Sequence, residues 1–198
     1  RDVTLNPDGS YTLTGLLRGR RGTDVFVEGH AAGELVVLLD PDDVETLVTA
    51  LGDLGLPRSW RAVGFGTLFE DAETIVQSHS GRDLKPYAPW NVRAVKTGSP
   101  ANITLSWIRR TRIGGELKDG TGLVPLGEAS EAYEVDILDG PGGAVKRTLA
   151  SASPSVVYAN ADILADFGAV PALLSVAVHQ LSAVAGRDFP RAVTLEIA

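Results

Sequence analysis

Apolar and polar residues alternate along much of this chain, in short runs separated by glycine, proline and aspartate. In Ile103-Thr-Leu-Ser-Trp107 every second residue is large and apolar, and Tyr133-Glu-Val-Asp-Ile137 repeats the pattern. A period of two puts Ile103, Leu105 and Trp107 on one face of a strand, and Tyr133, Val135 and Ile137 on one face of another. Two such faces turned together make the core of a β-sandwich. An indole there needs walls from both sheets, so Trp107 predicts a second sheet from Ser155 onward. Further strands are expected over 92–95, 145–148, 155–158, 173–181 and 192–197, about the number a two-sheet sandwich uses.

The first part of the chain is patterned less evenly. Val3-Thr-Leu-Asn-Pro-Asp-Gly-Ser-Tyr-Thr-Leu-Thr reads as a hairpin: Pro7 presets φ, Asp8 bonds its own backbone, and Gly9 takes the left-handed position. Gly15-Leu-Leu-Arg-Gly-Arg-Arg-Gly then breaks the alternation. Leu35-Val-Val-Leu-Leu39 predicts a strand buried on both faces, ended by Asp40-Pro41-Asp42-Asp43, with a short aspartate-capped helix over 44–54. Alternation resumes over Trp60-Arg-Ala-Val-Gly-Phe-Gly-Thr-Leu-Phe69. Two prolines in Lys85-Pro-Tyr-Ala-Pro89 force extended geometry on the residues before them and mark a linker. The expected fold class is therefore mainly β, with a β-rich domain over 1–86 and a β-sandwich over 87–198. Gly114 to Pro125 forms a glycine-rich loop long enough to serve as a contact surface.

Composition narrows the function classes. With 44% hydrophobic and 22% charged residues the chain is globular rather than disordered. Absence of cysteine excludes disulfides, thiolate catalysis and thiolate metal sites. The chain has no methionine and opens already in alternation, so it is expected to be a piece of something longer. No stretch approaches the roughly 18 apolar residues of a membrane helix. Net charge is −7; residues 1–86 carry 8 basic and 14 acidic groups, and residues 87–198 carry 10 and 11. A phosphate-tracking surface wants a basic stripe, so direct nucleic-acid binding is not expected.

The candidate chemistry is thin. Arg18-Gly-Arg-Arg-Gly-Thr23 could let glycine amides and arginines converge on an anion, but it lacks the lysine-hydroxyl ending of a nucleotide loop. Arginines pairing with acidic groups of a neighbouring domain or subunit fit it better. Asp40, Asp42 and Asp43 offer oxygen ligands with the wrong spacing for a calcium loop. Asp119-Gly-Thr-Gly is a single copy without a partner aspartate. His30, His79 and His179 stand far apart, and Ser78-His-Ser80 has no readable order of triad partners. Arg109, Arg110 and Arg112 are expected to pair with Glu116, Glu128, Glu131 or Glu134. No catalytic, metal or cofactor-binding residue is assigned, and an enzyme is not expected in this segment.

Pro89-Trp-Asn-Val-Arg-Ala, Ile103-Thr-Leu-Ser-Trp107, Tyr133-Glu-Val-Asp-Ile137 and Leu174-Ser-Val-Ala-Val-His-Gln-Leu-Ser-Ala, with Gly186 before a last strand, resemble a fibronectin type III domain. That family usually begins its sixth strand with a corner tyrosine. Leu173 or Leu174 stands there instead, so the corner must be held otherwise. Over nearly the whole chain, Gly15-Leu-Leu-Arg-Gly-Arg-Arg-Gly-Thr23, Leu38-Leu-Asp40, Trp107-Ile-Arg-Arg-Thr-Arg112 and Pro125-Leu-Gly-Glu128-Ala-Ser-Glu131 resemble the C-terminal part of the tail-tip or baseplate hub protein of flexible-tailed phages and gene transfer agents. The resemblance implies a homotrimer at the tip of a phage-like particle, made in the bacterial cytoplasm and released with the particle. Its partners would be other hub proteins and fibres, with contact to a cell surface during attachment and DNA delivery. An enzymatic barrel domain is implied elsewhere in the full protein. The alternative reading is a carbohydrate-binding or adhesive module of a secreted hydrolase, which a row of exposed coplanar aromatics would favour.

Overall fold

The structure, a computed structural model, describes all residues except 1, 21, 40, 41, 43, 45, 46, 116–122, 188 and 198. Its elements, in chain order, are β1 (Asp2–Leu5), β2 (Tyr11–Thr14), β3 (Pro57–Trp60), β4 (Ile75–Ser78), β5 (Trp90–Thr97), β6 (Asn102–Ile108), β7 (Tyr133–Leu138), β8 (Val145–Ser151), β9 (Ser155–Tyr158), α1 (Asn160–Phe167), β10 (Leu173–Ser182), β11 (Gly186–Arg187) and β12 (Arg191–Glu196), with four short 3-10 turns between them. They form two compact units: residues 1–32 together with 85–198, and residues 33–84.

The first unit is built on a β-sandwich. One sheet has the order β5-β6-β9; the other runs β8-β7-β10, with β12 on the far edge of β10 and β11 closing a turn at its end. Every pairing is antiparallel. Ile103, Leu105 and Trp107 of β6 meet Tyr133, Val135 and Ile137 of β7 and Leu174, Val176 and Val178 of β10, all buried. The Trp107 ring stands edge-on to Tyr133, with centroids 5.1 Å apart. The facing inferred from alternation therefore holds, and the fold is mainly β. One detail differs: Ser155–Tyr158 pairs with β6 in the same sheet, and the opposite wall comes from β7 and β10. The strand run is interrupted there by α1, which supplies Ile163 to the core.

Before β10, α1 is tied to the sheets through Asp166. Tyr158, fully buried at the end of β9, donates its hydroxyl to Asp166 of α1 at 2.6 Å. Arg147 of β8 clasps the same carboxylate at 2.6 and 3.1 Å and reaches Asp162 at 3.2 Å. α1 then ends on Gly168 in the left-handed conformation, φ 75°, where a side chain would be strained. At the start of β10, Leu174 is buried while Leu173 is exposed.

The chain's passage between units at 84/85 lies close to the boundary read at Pro86, and the passage at 32/33 has no counterpart in the sequence reading. The first 32 residues therefore belong to the sandwich's unit. The reason is a set of contacts made by residues 22–26, described below.

Residues 33–84 form a unit of a different kind. Among its described residues the one sheet is the β3–β4 hairpin, in register from Pro57 opposite Ser78 to Trp60 opposite Ile75. Arg61 braces the loop between the strands, donating to Thr74 at 2.7 Å and to the Phe69 carbonyl at 2.8 Å, with its guanidinium 4.6 Å from the Phe69 ring centre. Two expectations fail here. Leu35-Val-Val-Leu-Leu39 is not a strand; its five side chains are 63 to 88% exposed, because no described element offers it an edge or a covering face. The helix over 44–54 is also absent from the described residues, which hold a 3-10 turn at Leu51–Asp53 instead; Asp40 and Asp43, its candidate caps, lie outside them. Of the alternating run from Trp60 to Phe69, Trp60 alone ends a strand. No described helix is long and apolar enough to cross a membrane.

Candidate interaction surfaces

The β1–β2 hairpin is amphipathic with its apolar side open. Val3 pairs with Leu13 and Leu5 with Tyr11, so all four side chains share one face; Thr4, Thr12, Asp2 and Thr14 take the other. The four apolar side chains are 47 to 66% exposed. The turn forms as its residues dictate: Gly9 has φ 83°, and Asp8 accepts from the Ser10 amide at 3.0 Å and the Ser10 hydroxyl at 2.7 Å. The Ser10 bonds hold the Asp8 carboxyl below the usual range.

The loop that follows is clamped to the sandwich. Arg18 donates to the Val27 carbonyl, and Thr23 donates its hydroxyl to the Arg20 carbonyl at 2.7 Å. These bonds close the turn on itself; Arg20 is exposed and Arg21 lies outside the described residues. Asp24 accepts from Arg110 at 3.0 Å, Arg110 lies 5.4 Å from the centre of the Tyr87 ring, and Phe26 stacks edge-on against Phe189 at 5.0 Å. Gly22 makes the approach possible. It has φ 78°, and a Cβ there would sit 2.6 Å from the Tyr87 ring.

The arginines after β6 are paired largely as their spacing suggested. Arg109 binds Glu131 at 2.9 Å and the Val124 carbonyl at 2.8 Å, and Arg112 binds Glu128 at 3.1 Å. Tyr133 donates to the same Glu131 at 2.8 Å; burial, then this bond, push its hydroxyl far above its ordinary value. Arg110 turns instead to Asp24, a partner that no local pattern marks. Glu134 pairs with Arg187, and Glu116 lies outside the described residues.

On the outer face of the second sheet a charged cluster surrounds Asp136, which is 5% exposed. Arg187 reaches it with two bonds of 2.8 and 3.0 Å, Thr148 donates to it at 2.6 Å, and His179 Nε2 lies 3.4 Å away. Burial alone would raise this carboxyl, but the Arg187 and Thr148 bonds together outweigh it and hold it low. Sequence reading missed Asp136 and Arg187, which are joined across 51 positions. No local signal marked them: Asp136 takes an ordinary polar position in an alternating strand, as Glu134 does, and its burial, which makes a carboxylate costly without a cation, is a tertiary property.

The remaining candidates stay apart. His30 bonds the Phe26 carbonyl at 2.9 Å, His79 accepts from the Gly81 amide at 3.1 Å, and His179 belongs to the Asp136 cluster. No group of three or more metal-ligating side chains occurs among the described residues, which exclude Asp119 and leave Asp42 without its two neighbours in the aspartate run. The loop from Gly114 to Pro125 is described only at its two ends. What the arrangement offers is surface: an open apolar hairpin, ion pairs that fix loops, and the exposed side chains of residues 33–84.

Comparison with known proteins gives two findings. The model of the family described as "Rcc01698-like, C-terminal" matches residues 1–37, the hairpin and the clamped loop. No curated protein matches the chain. Among solved structures, the crystal structure of the rat CD45 extracellular region, domains d3-d4, aligns over 98% of this chain and 93% of its own at 9% identity, with a TM-score of 0.37. A likeness at that level carries no argument.

Proposed function

We propose that this chain is a structural part of a phage-like tail tip or baseplate, of the hub-protein kind found in gene transfer agents, and that it works by assembling with other copies and neighbouring tail proteins. The observation that carries this reading is a coincidence in place. The family likeness covers residues 1–37, and the same residues hold a hairpin whose apolar face its own chain leaves open. A two-stranded hairpin is marginal in water by itself. A hairpin with four uncovered apolar side chains is suited to being completed by a neighbour.

The test is direct. Particles released by cells carrying the gene should contain the chain, labelled antibodies should mark the tail tip, and Leu5→Asp with Leu13→Asp should abolish assembled tails while the sandwich still folds. Particles that lack the chain, or that assemble normally with both substitutions, would overturn the reading. The carbohydrate-binding alternative asks for a row of exposed aromatics. On the described sandwich strands Trp90 is the one exposed aromatic, and Arg191 stands over its ring at 4.8 Å.

A further inference from the structure

The chain's net charge and 17 of its 35 large exposed apolar side chains lie in one unit of 52 residues. Residues 33–84 carry 3 basic and 10 acidic groups, a balance of −7, whereas residues 1–32 carry 4 of each and residues 85–198 carry 11 of each. All of the net charge therefore sits in the unit that has almost no interior. Its buried described residues are Ala72 and Gly81, neither of which can make a core. Leu35, Val36, Leu38, Val48 and Phe65 are each more than 80% exposed. A run such as Leu35-Val-Val-Leu-Leu39, apolar on both alternate faces, is the composition of a strand covered on both sides.

We infer that residues 33–84 are a docking surface for a positively charged protein partner that presents an apolar groove or sheet edge, and that this unit gains its core from that partner. Charge selects the occupant. A second copy would bring the same −7 to the same surface, and like-charge juxtaposition disfavours that encounter. The rest of the chain is neutral overall and offers no net attraction. Nucleic acid and anionic membranes carry the same sign as the unit and are repelled for the same reason. A basic protein surface gains from steering by the acidic groups and from burial of the open leucines and valines. The inference rests on the assembly reading for its purpose and does not depend on the identity of the particle.

Three synthetic peptides of equal length separate the contributions: an amphipathic leucine-lysine peptide, its leucine-glutamate counterpart, and a lysine-serine peptide of the same charge. Each is added to the full chain, and amide hydrogen exchange is followed by mass spectrometry. The leucine-lysine peptide should slow exchange at 35–39 and 57–78 by about tenfold or more and leave β6, β7 and β10 unchanged. Raising salt from 50 to 500 mM should weaken its binding about tenfold. Glu70→Gln, Asp71→Asn and Glu73→Gln together should weaken it similarly without altering the sandwich's melting temperature. Equal protection by the leucine-glutamate peptide would overturn the charge selection, and equal protection by the lysine-serine peptide would overturn the apolar contribution. Concentration-dependent protection of 35–39 without any peptide would make the occupant a second copy and overturn the inference. Loss of the chain from purified particles, with peptide protection intact, would remove the tail-tip reading alone.

Discussion

The sandwich and residues 33–84 are both rich in leucine and valine, yet one buries them and the other does not. In the sandwich each apolar stripe has a counterpart: β6 faces β7 and β10, and α1 and Ile197 close the ends. In residues 33–84 the apolar residues fall in a continuous run, in loops, or on both faces of a two-stranded hairpin, and no second layer among the unit's described residues meets them. The −7 balance there also opposes compaction through self-repulsion, whereas the sandwich's unit has none to overcome. Burial is thus a property of paired faces and not of hydrophobic content.

The largest effect should come from removing an aromatic side chain on each side of this contrast. Trp107 is 5% exposed, so Trp107→Ala should cost about 3–5 kcal/mol through lost burial and the cavity left behind. Phe65 is fully exposed in residues 33–84, and Phe65→Ala should change stability by no more than about 0.5 kcal/mol. Denaturant unfolding followed by far-ultraviolet circular dichroism measures both. A cost below about 1 kcal/mol at Trp107, or above about 1.5 kcal/mol at Phe65, would erase the distinction.

Ion pairs should differ in the same direction, more modestly. Asp136 is buried with Arg187, and Arg187→Ala leaves a desolvated carboxylate short of two bonds, at a cost of about 1–3 kcal/mol. Arg58 and Asp53 in residues 33–84 form an exposed pair, and Arg58→Ala should cost under about 1 kcal/mol. Acid sharpens the comparison. Burial raises the Asp136 carboxyl but is outweighed by Arg187 and Thr148, so its folded value lies below its unfolded value. Asp166 is lowered as well, first by Arg147 and then by Tyr158. Groups shifted this way stabilise the fold above the unfolded value of about 4 and lose that contribution as pH falls through the folded value. The sandwich should therefore weaken steeply below about pH 4, and Asp136→Asn should flatten that limb in pH-dependent melting. An unchanged acid limb in Asp136→Asn would show that the cluster does not contribute.

The legible parts of the chain were those whose information is local. The hairpin at Pro7-Asp-Gly9, the facing of Trp107 with Tyr133, and the pairing of Arg109 and Arg112 all follow from alternation, turn chemistry or nearby charge. What escaped reading was set by distant partners. Leu35-Val-Val-Leu-Leu39 has a strand's composition but no described edge to join, so its pattern states a requirement that its own chain does not meet. Arg110 could have served any nearby glutamate, and its choice of Asp24, 86 residues away, depends on Gly22 lying against Tyr87. The cluster of Tyr158, Asp166 and Arg147 was not legible either, because the helix that presents Asp166 lies in a segment without strong periodicity.

The smallest expected effect concerns a defect inside the better-packed region. Gln180 is 1% exposed, and neither its Oε1 nor its Nε2 has a hydrogen-bond partner. It lies opposite Tyr133 in register, among side chains whose own polar ends are spent elsewhere: the Tyr133 hydroxyl is bonded to Glu131. A buried amide without partners costs desolvation that no bond returns, and an apolar side chain of similar shape removes that cost without opening a cavity. Gln180→Leu should therefore stabilise the sandwich by about 1 kcal/mol, read as a higher denaturant midpoint at unchanged slope. The same exchange at Gln77, exposed on β4, should shift nothing measurable, because no desolvated amide exists there to relieve. A loss of 1 kcal/mol or more in Gln180→Leu would mean that the amide is bonded in solution, and the contrast between a finished core and an unfinished surface would then extend to its polar groups.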